Sequence, residues 1–133
     1  MKRGVVPFIL LLGLVLVIVI WESPVFSGRL AKADVKDVIL WQNGPDSKTV
    51  TLNRERIDTF LDTYNRLKYK GRADGSGGTA EWGAMIVLQD GTEIHVNDFY
   101  NSRFEVSCDS RDWWYYLDSG DLRSYILAQL EAA

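Results

Sequence analysis

One cysteine and one histidine stand in a chain of 133 residues, and their scarcity closes off several kinds of chemistry. A lone Cys108 excludes an internal disulfide, so an exported domain must fold on packing alone. A lone His95, with no second histidine or cysteine at ligand spacing, removes zinc sites of the usual composition and leaves a Ser–His pair without a nameable partner. Positive charge is also short. The net charge is −3, and from Asp34 onward 11 basic and 17 acidic residues leave −6. That balance argues against nucleic acid and against polybasic docking on anionic lipid. Internal repeats and low-complexity tracts are missing. No cofactor motif is visible either: Gly75-Ser76-Gly77-Gly78 lacks the Lys-Ser/Thr and the strand–loop–helix setting of a phosphate cradle and reads as a connector.

What the chain does have is a long apolar run. Lys2 and Arg3 precede Val5 to Trp21, and Glu22 and Pro24 follow it. Seventeen residues of helix span roughly 25 Å, just under the hydrocarbon thickness of about 30 Å. Lysine and arginine ahead of the run keep the N-terminus cytoplasmic. The expected organisation is a cytoplasmic stub (1–3), a transmembrane helix or uncleaved signal anchor (4–21), a juxtamembrane linker (22–34) and an extracytoplasmic α+β domain (35–133). The rival is a signal peptide cut after Ser27 or Ala33, which would release the domain as a secreted module. An exported domain without disulfides is commoner in Gram-positive bacteria than in eukaryotic secretion, which points to a bacterial source.

Val38 to Trp41 and Lys48 to Leu52 read as strands joined by the turn Asn43-Gly44-Pro45-Asp46. Asn53 is placed to cap a helix onto which Leu52 can staple Ile57. Ile57, Phe60, Leu61, Tyr64 and Leu67 form its stripe, and its end is expected near Tyr69 to Gly71. Four further strands follow. The first is Trp82 to Gln89, apolar on both faces and hence central and covered on both sides. Next come Thr92 to Asp98, Phe104 to Cys108 and Trp113 to Leu117. Asp118 or Ser119 should cap a last helix with a stripe of Leu122, Tyr125, Ile126 and Leu130. The expected order is β-β-α-β-β-β-β-α, an antiparallel sheet with two helices packed on one face.

Candidate chemistry is thin. Alternation puts His95 on the polar side of its strand and Cys108 toward the core, where a free thiol acts as a small hydrophobe. Asp109, Asp112, Asp118 and Asp121 lack calcium-loop spacing and suit turns and caps. The feature above background is Trp113-Trp114-Tyr115-Tyr116. On a strand, Trp113 and Tyr115 point one way and Trp114 and Tyr116 the other, so only one pair can face the helices. An exposed Trp/Tyr pair is a good anchor for a protein partner, a sugar ring or the membrane interface, and the competing reading is a central strand covered on both faces. The aromatic strand, Asp118-Ser119-x-x-Leu122 and the closing helix resemble the ends of small extracytoplasmic domains of Gram-positive membrane proteins; the resemblance carries over no functional residue. Charge is uneven: residues 54–72 hold six basic and three acidic residues, and 73–133 hold three and eleven. The expectation is a membrane-anchored, non-enzymatic domain that binds an envelope protein or a small ligand, with the secreted module as first alternative and a small envelope enzyme as the second.

Overall fold

The computed structural model describes residues 29–73, 79–108, 110 and 113–133. The apolar run at 4–21, the cut after Ser27, the glycine-rich connector at 75–78, Asp109 and Asp112 lie outside the described residues. Within them, no helix is long and apolar enough to cross a membrane.

The domain is α+β, with seven strands and two helices. A 3-10 turn at Lys32–Asp34 leads into β1 (Val35–Gln42) and β2 (Lys48–Thr51), followed by α1 (Arg54–Tyr64). Then come β3 (Tyr69–Arg72), β4 (Trp82–Leu88), β5 (Glu93–Phe99), β6 (Arg103–Cys108), β7 (Trp113–Asp118) and α2 (Gly120–Glu131). All pairings are antiparallel, in the order β2-β1-β4-β5-β6-β7-β3.

The period of two sorts the side chains. Cross-strand partners share a face, so Leu40, Ala84, Val96, Val106 and Tyr115 form one row, with Val38, Ile86 and Ile94 beside it. These residues are buried in one core cluster with Ile57, Phe60, Leu61 and Tyr64 of α1 and Leu122, Ile126 and Leu130 of α2. Both helices therefore cover the same face. Asn53 caps α1 by accepting the Arg56 N–H at 2.9 Å, and Leu52 and Ile57 on either side of that cap are buried in the core. At the far end of α2, the Lys48 ammonium donates to the Leu130 carbonyl at 3.2 Å, a cation at the negative end of a helix dipole.

The strand count and the helix end differ from the sequence expectation. α1 stops at Tyr64, and Tyr69–Arg72 is a seventh strand on the sheet's edge, paired with β7. A break in register between Tyr69 and Gly71, with Gly71 at φ +126°, shortens it. Four residues with a bulge and a glycine are too few to show a period. The last helix begins at one of the two expected caps but without the expected side-chain bond. Ser119 is its N-cap but makes no side-chain cap bond, whereas Asp118 ends β7 and accepts the Lys68 N–H at 2.8 Å. Finally, β4 is central but not covered on both sides: Met85 and Val87 on its second face are only half-buried.

Candidate functional site

With the helices on one face, the other face of the sheet is where side chains from several strands meet solvent. Register builds it in two rows. The first runs Thr49, Trp41, Gly83, Asn97, Glu105, Tyr116, and the second Thr51, Ile39, Met85, His95, Ser107, Trp114. Trp41, Met85, His95, Asn97, Trp114 and Tyr116 are half-buried, while Glu105 and Ser107 in the middle are buried.

Trp41 lies over Gly83. A Cβ added at residue 83 would sit 2.8 Å from Trp41 Cζ2, 3.1 Å from Asn97 Oδ1 and 2.5 Å from the Val96 carbonyl oxygen. Only glycine leaves room at this position for the Trp41 indole and the Asn97 amide together. Toward the β5–β6 turn the face becomes aromatic. The Phe99 and Tyr116 rings are 4.9 Å apart and the Phe99 and Tyr100 rings 5.4 Å. Tyr100 is 75% exposed. The turn holds Asn101 and Ser102 at φ +61° and +56°, a conformation that asparagine tolerates but that strains serine.

Of the four aromatics singled out in β7, Trp114 and Tyr116 lie on this face. Tyr115 points the other way, 5% exposed, with its hydroxyl 3.3 Å from that of Tyr64. The side chain of Trp113 lies outside the described residues. Burial pushes the Tyr64 phenol well above its usual value of 10.0, helped by Tyr115. Burial also raises Tyr115, against the opposing effect of the bond from Tyr64.

Two shallow clefts flank the face. One, of about 400 Å³, is bounded by Asp90, Thr92, Glu93, His95 and Ser110. His95 Nε2 there stands 3.7 Å from the Glu93 carboxylate. The other, of about 290 Å³, lies between Thr79–Glu81 and Asp98–Tyr100. Cys108 is fully buried on the helix side, its Sγ 3.4 Å from Ser110 Oγ. Among the described residues no hydrogen bond joins His95 to Cys108 or Ser110, and no three His, Cys, Asp or Glu residues gather as a metal-binding group. The arrangement offers rings, an amide and an imidazole on a broad surface, chemistry suited to contact.

No family model matches this chain, and no curated protein or solved structure is detectably similar to it. Alternation paired Trp114 with Tyr116 but left open which pair of β7 faces away from the helices. Trp41, Gly83 and Asn97 were not legible, because register across distant segments brings them together. A signal within reach was the aromatic pair Phe99-Tyr100 before the turn residues Asn101-Ser102.

Proposed function

We propose that this chain is a single-pass membrane protein, N-terminus cytoplasmic, whose extracytoplasmic domain binds another envelope protein through the open sheet face without catalysing a reaction. The carrying observation is the one-sided covering of the sheet: the opposite face keeps Trp41, Trp114 and Tyr116 half-exposed around Asn97 and His95. Half-buried tryptophan and tyrosine rings with polar edges are what protein contact surfaces concentrate at their centres. The tether is supported by the length of the apolar run and the cations ahead of it.

A secreted form is the second reading, and the fold bears on which cut it would use. Leu30 packs against the core, and its N–H and carbonyl both bond the Asn65 amide, at 2.9 and 2.8 Å. The Arg54 guanidinium grips the Val35 and Lys32 carbonyls at 2.9 and 2.6 Å. A cut after Ala33 would strip the two Leu30–Asn65 bonds and the Arg54–Lys32 bond, leaving only that from Arg54 to Val35, whereas a cut after Ser27 leaves all four. Release therefore favours a mature chain starting at Gly28.

The test is co-purification from membranes of the unaltered chain and of a Trp114→Ala/Tyr116→Ala variant, with thermal unfolding of both and the intact mass of each. A defined partner lost from the folded variant is the expected result. Equal recovery from both overturns the contact, and a mass beginning at Gly28 overturns the tether.

A further inference from the structure

The domain's net negative charge hides a cationic edge. Along 66–72 the exposed residues are Arg66, Lys68, Lys70 and Arg72, alternating with the half-buried Leu67, Tyr69 and Gly71. β3, which carries the last two of these cations, is the outermost strand of the sheet on that side. Among the described residues none of the four cations makes an ion pair; those found join Lys32 to Asp62, Arg54 to Asp58, His95 to Glu93 and Arg123 to Asp98. Among the described residues two carboxylates stand close by in the fold. Asp62 is engaged by Lys32 at 3.1 Å, and Asp118 accepts the Lys68 backbone N–H.

The chain enters the domain at this same corner. The paired bonds between Leu30 and the Asn65 amide fix the entering segment one residue before Arg66, and the exposed Arg29 and Lys32 add to the charge there. If residues 4–21 span the bilayer, only residues 22–28 separate it from Arg29. Seven residues reach at most roughly 25 Å. The cationic edge is then the part of the domain held nearest the headgroups.

We propose that Arg66, Lys68, Lys70 and Arg72 rest on anionic phospholipid headgroups of the membrane that anchors the chain, leaving the open sheet face turned to partners. The inference depends on the tether proposed above. Each lysine or arginine at an anionic surface shifts the docked-to-free ratio by about fivefold, and salt weakens this because exposed charges are screened beyond roughly 10 Å at 0.1 M. The tether makes the encounter intramolecular, so few cations suffice. Overall charge argued against polybasic docking, but that sum averages an acidic body with a basic edge.

The test uses the full chain in nanodiscs of phosphatidylcholine, alone or mixed with phosphatidylglycerol, each doped with a headgroup spin label. NMR relaxation enhancement is read at the backbone amides of Arg66–Arg72 and, at the opposite edge, of Gly44, Asp46 and Ser47. Enhancement stronger at 66–72 on the anionic discs, lost on neutral discs and in high salt, is expected. Lys68→Gln/Lys70→Gln/Arg72→Gln should lower the docked-to-free ratio on the order of a hundredfold. The single Lys70→Gln and the lipid comparison on the unaltered chain keep the test intact if the triple variant unfolds. Equal enhancement at both edges, or none that follows lipid charge, overturns the proposal. So does a shift of the 66–72 signals on adding polyglutamate but not on changing lipid, which would mark a site for an acidic protein. A chain that leaves the discs in high salt overturns the tether itself, and the docking with it.

Discussion

At Gly83 a missing side chain shapes the open face. The Trp41 ring occupies the space a Cβ would need, and the Val96 carbonyl closes it from below at 2.5 Å. Gly83→Ala should therefore push the indole off the sheet and cost about 1–3 kcal/mol, the usual range for overpacking. Urea unfolding with tryptophan emission checks both: a lower midpoint together with a red-shifted native spectrum is expected. The Tyr64–Tyr115 pair makes a different prediction. Burial raises both phenols in the folded state, so the folded chain holds their protons more tightly than the unfolded chain. Their contribution is fully present below the unfolded value near 10 and is lost as pH rises through the folded values. Stability should thus fall on the alkaline side above about pH 10. Tyr64→Phe should cost about 1 kcal/mol at neutral pH and make the alkaline fall less steep. Denaturant unfolding across pH measures the two slopes, and identical slopes would contradict the assignment.

Between elements, α2 is held to the sheet's end by Arg123. Its guanidinium donates to Asp98 at 2.8 Å and lies 5.3 Å from the centre of the Trp82 ring, which meets Phe104 edge-on at 5.8 Å and 88°. Both charged groups are partly exposed, so Arg123→Ala should cost only about 1 kcal/mol, and raised salt should narrow the gap from the unaltered chain. Thermal unfolding at two ionic strengths reads this. The elements also show how far a sequence can be read. α1 was legible because Ile57, Phe60, Leu61 and Tyr64 repeat at the helical period over two turns. Face assignment in β5 and β6 was legible because alternation is local, whereas the apolar second face of β4 hid its exposure and alternation in β7 paired the aromatics without saying which pair faces the helices. β3 was not: Lys70 and Gly71 resemble a helix end, and its place beside β7 depends on pairing across about 45 residues of chain. The candidate site followed the same division. Trp114 and Tyr116 share a strand and could be found together, whereas Trp41 and Asn97 join them only through the register of β1, β4, β5, β6 and β7.

For the whole molecule, the two faces and the two edges divide the work. One face is closed by α1 and α2 over an apolar core, the other is proposed to meet a partner, and the cationic edge beside the entering chain is proposed to meet lipid. The central claim concerns the open face, and photo-crosslinking in living cells tests it most directly. A benzophenone side chain is placed at Trp114 on the open face or at the exposed Ser124 on α2, with both proteins shown to fold and to reach the membrane. A discrete adduct from position 114, absent from position 124, is the expected result. Adducts of the same size and yield from both positions, or none from position 114, would contradict it.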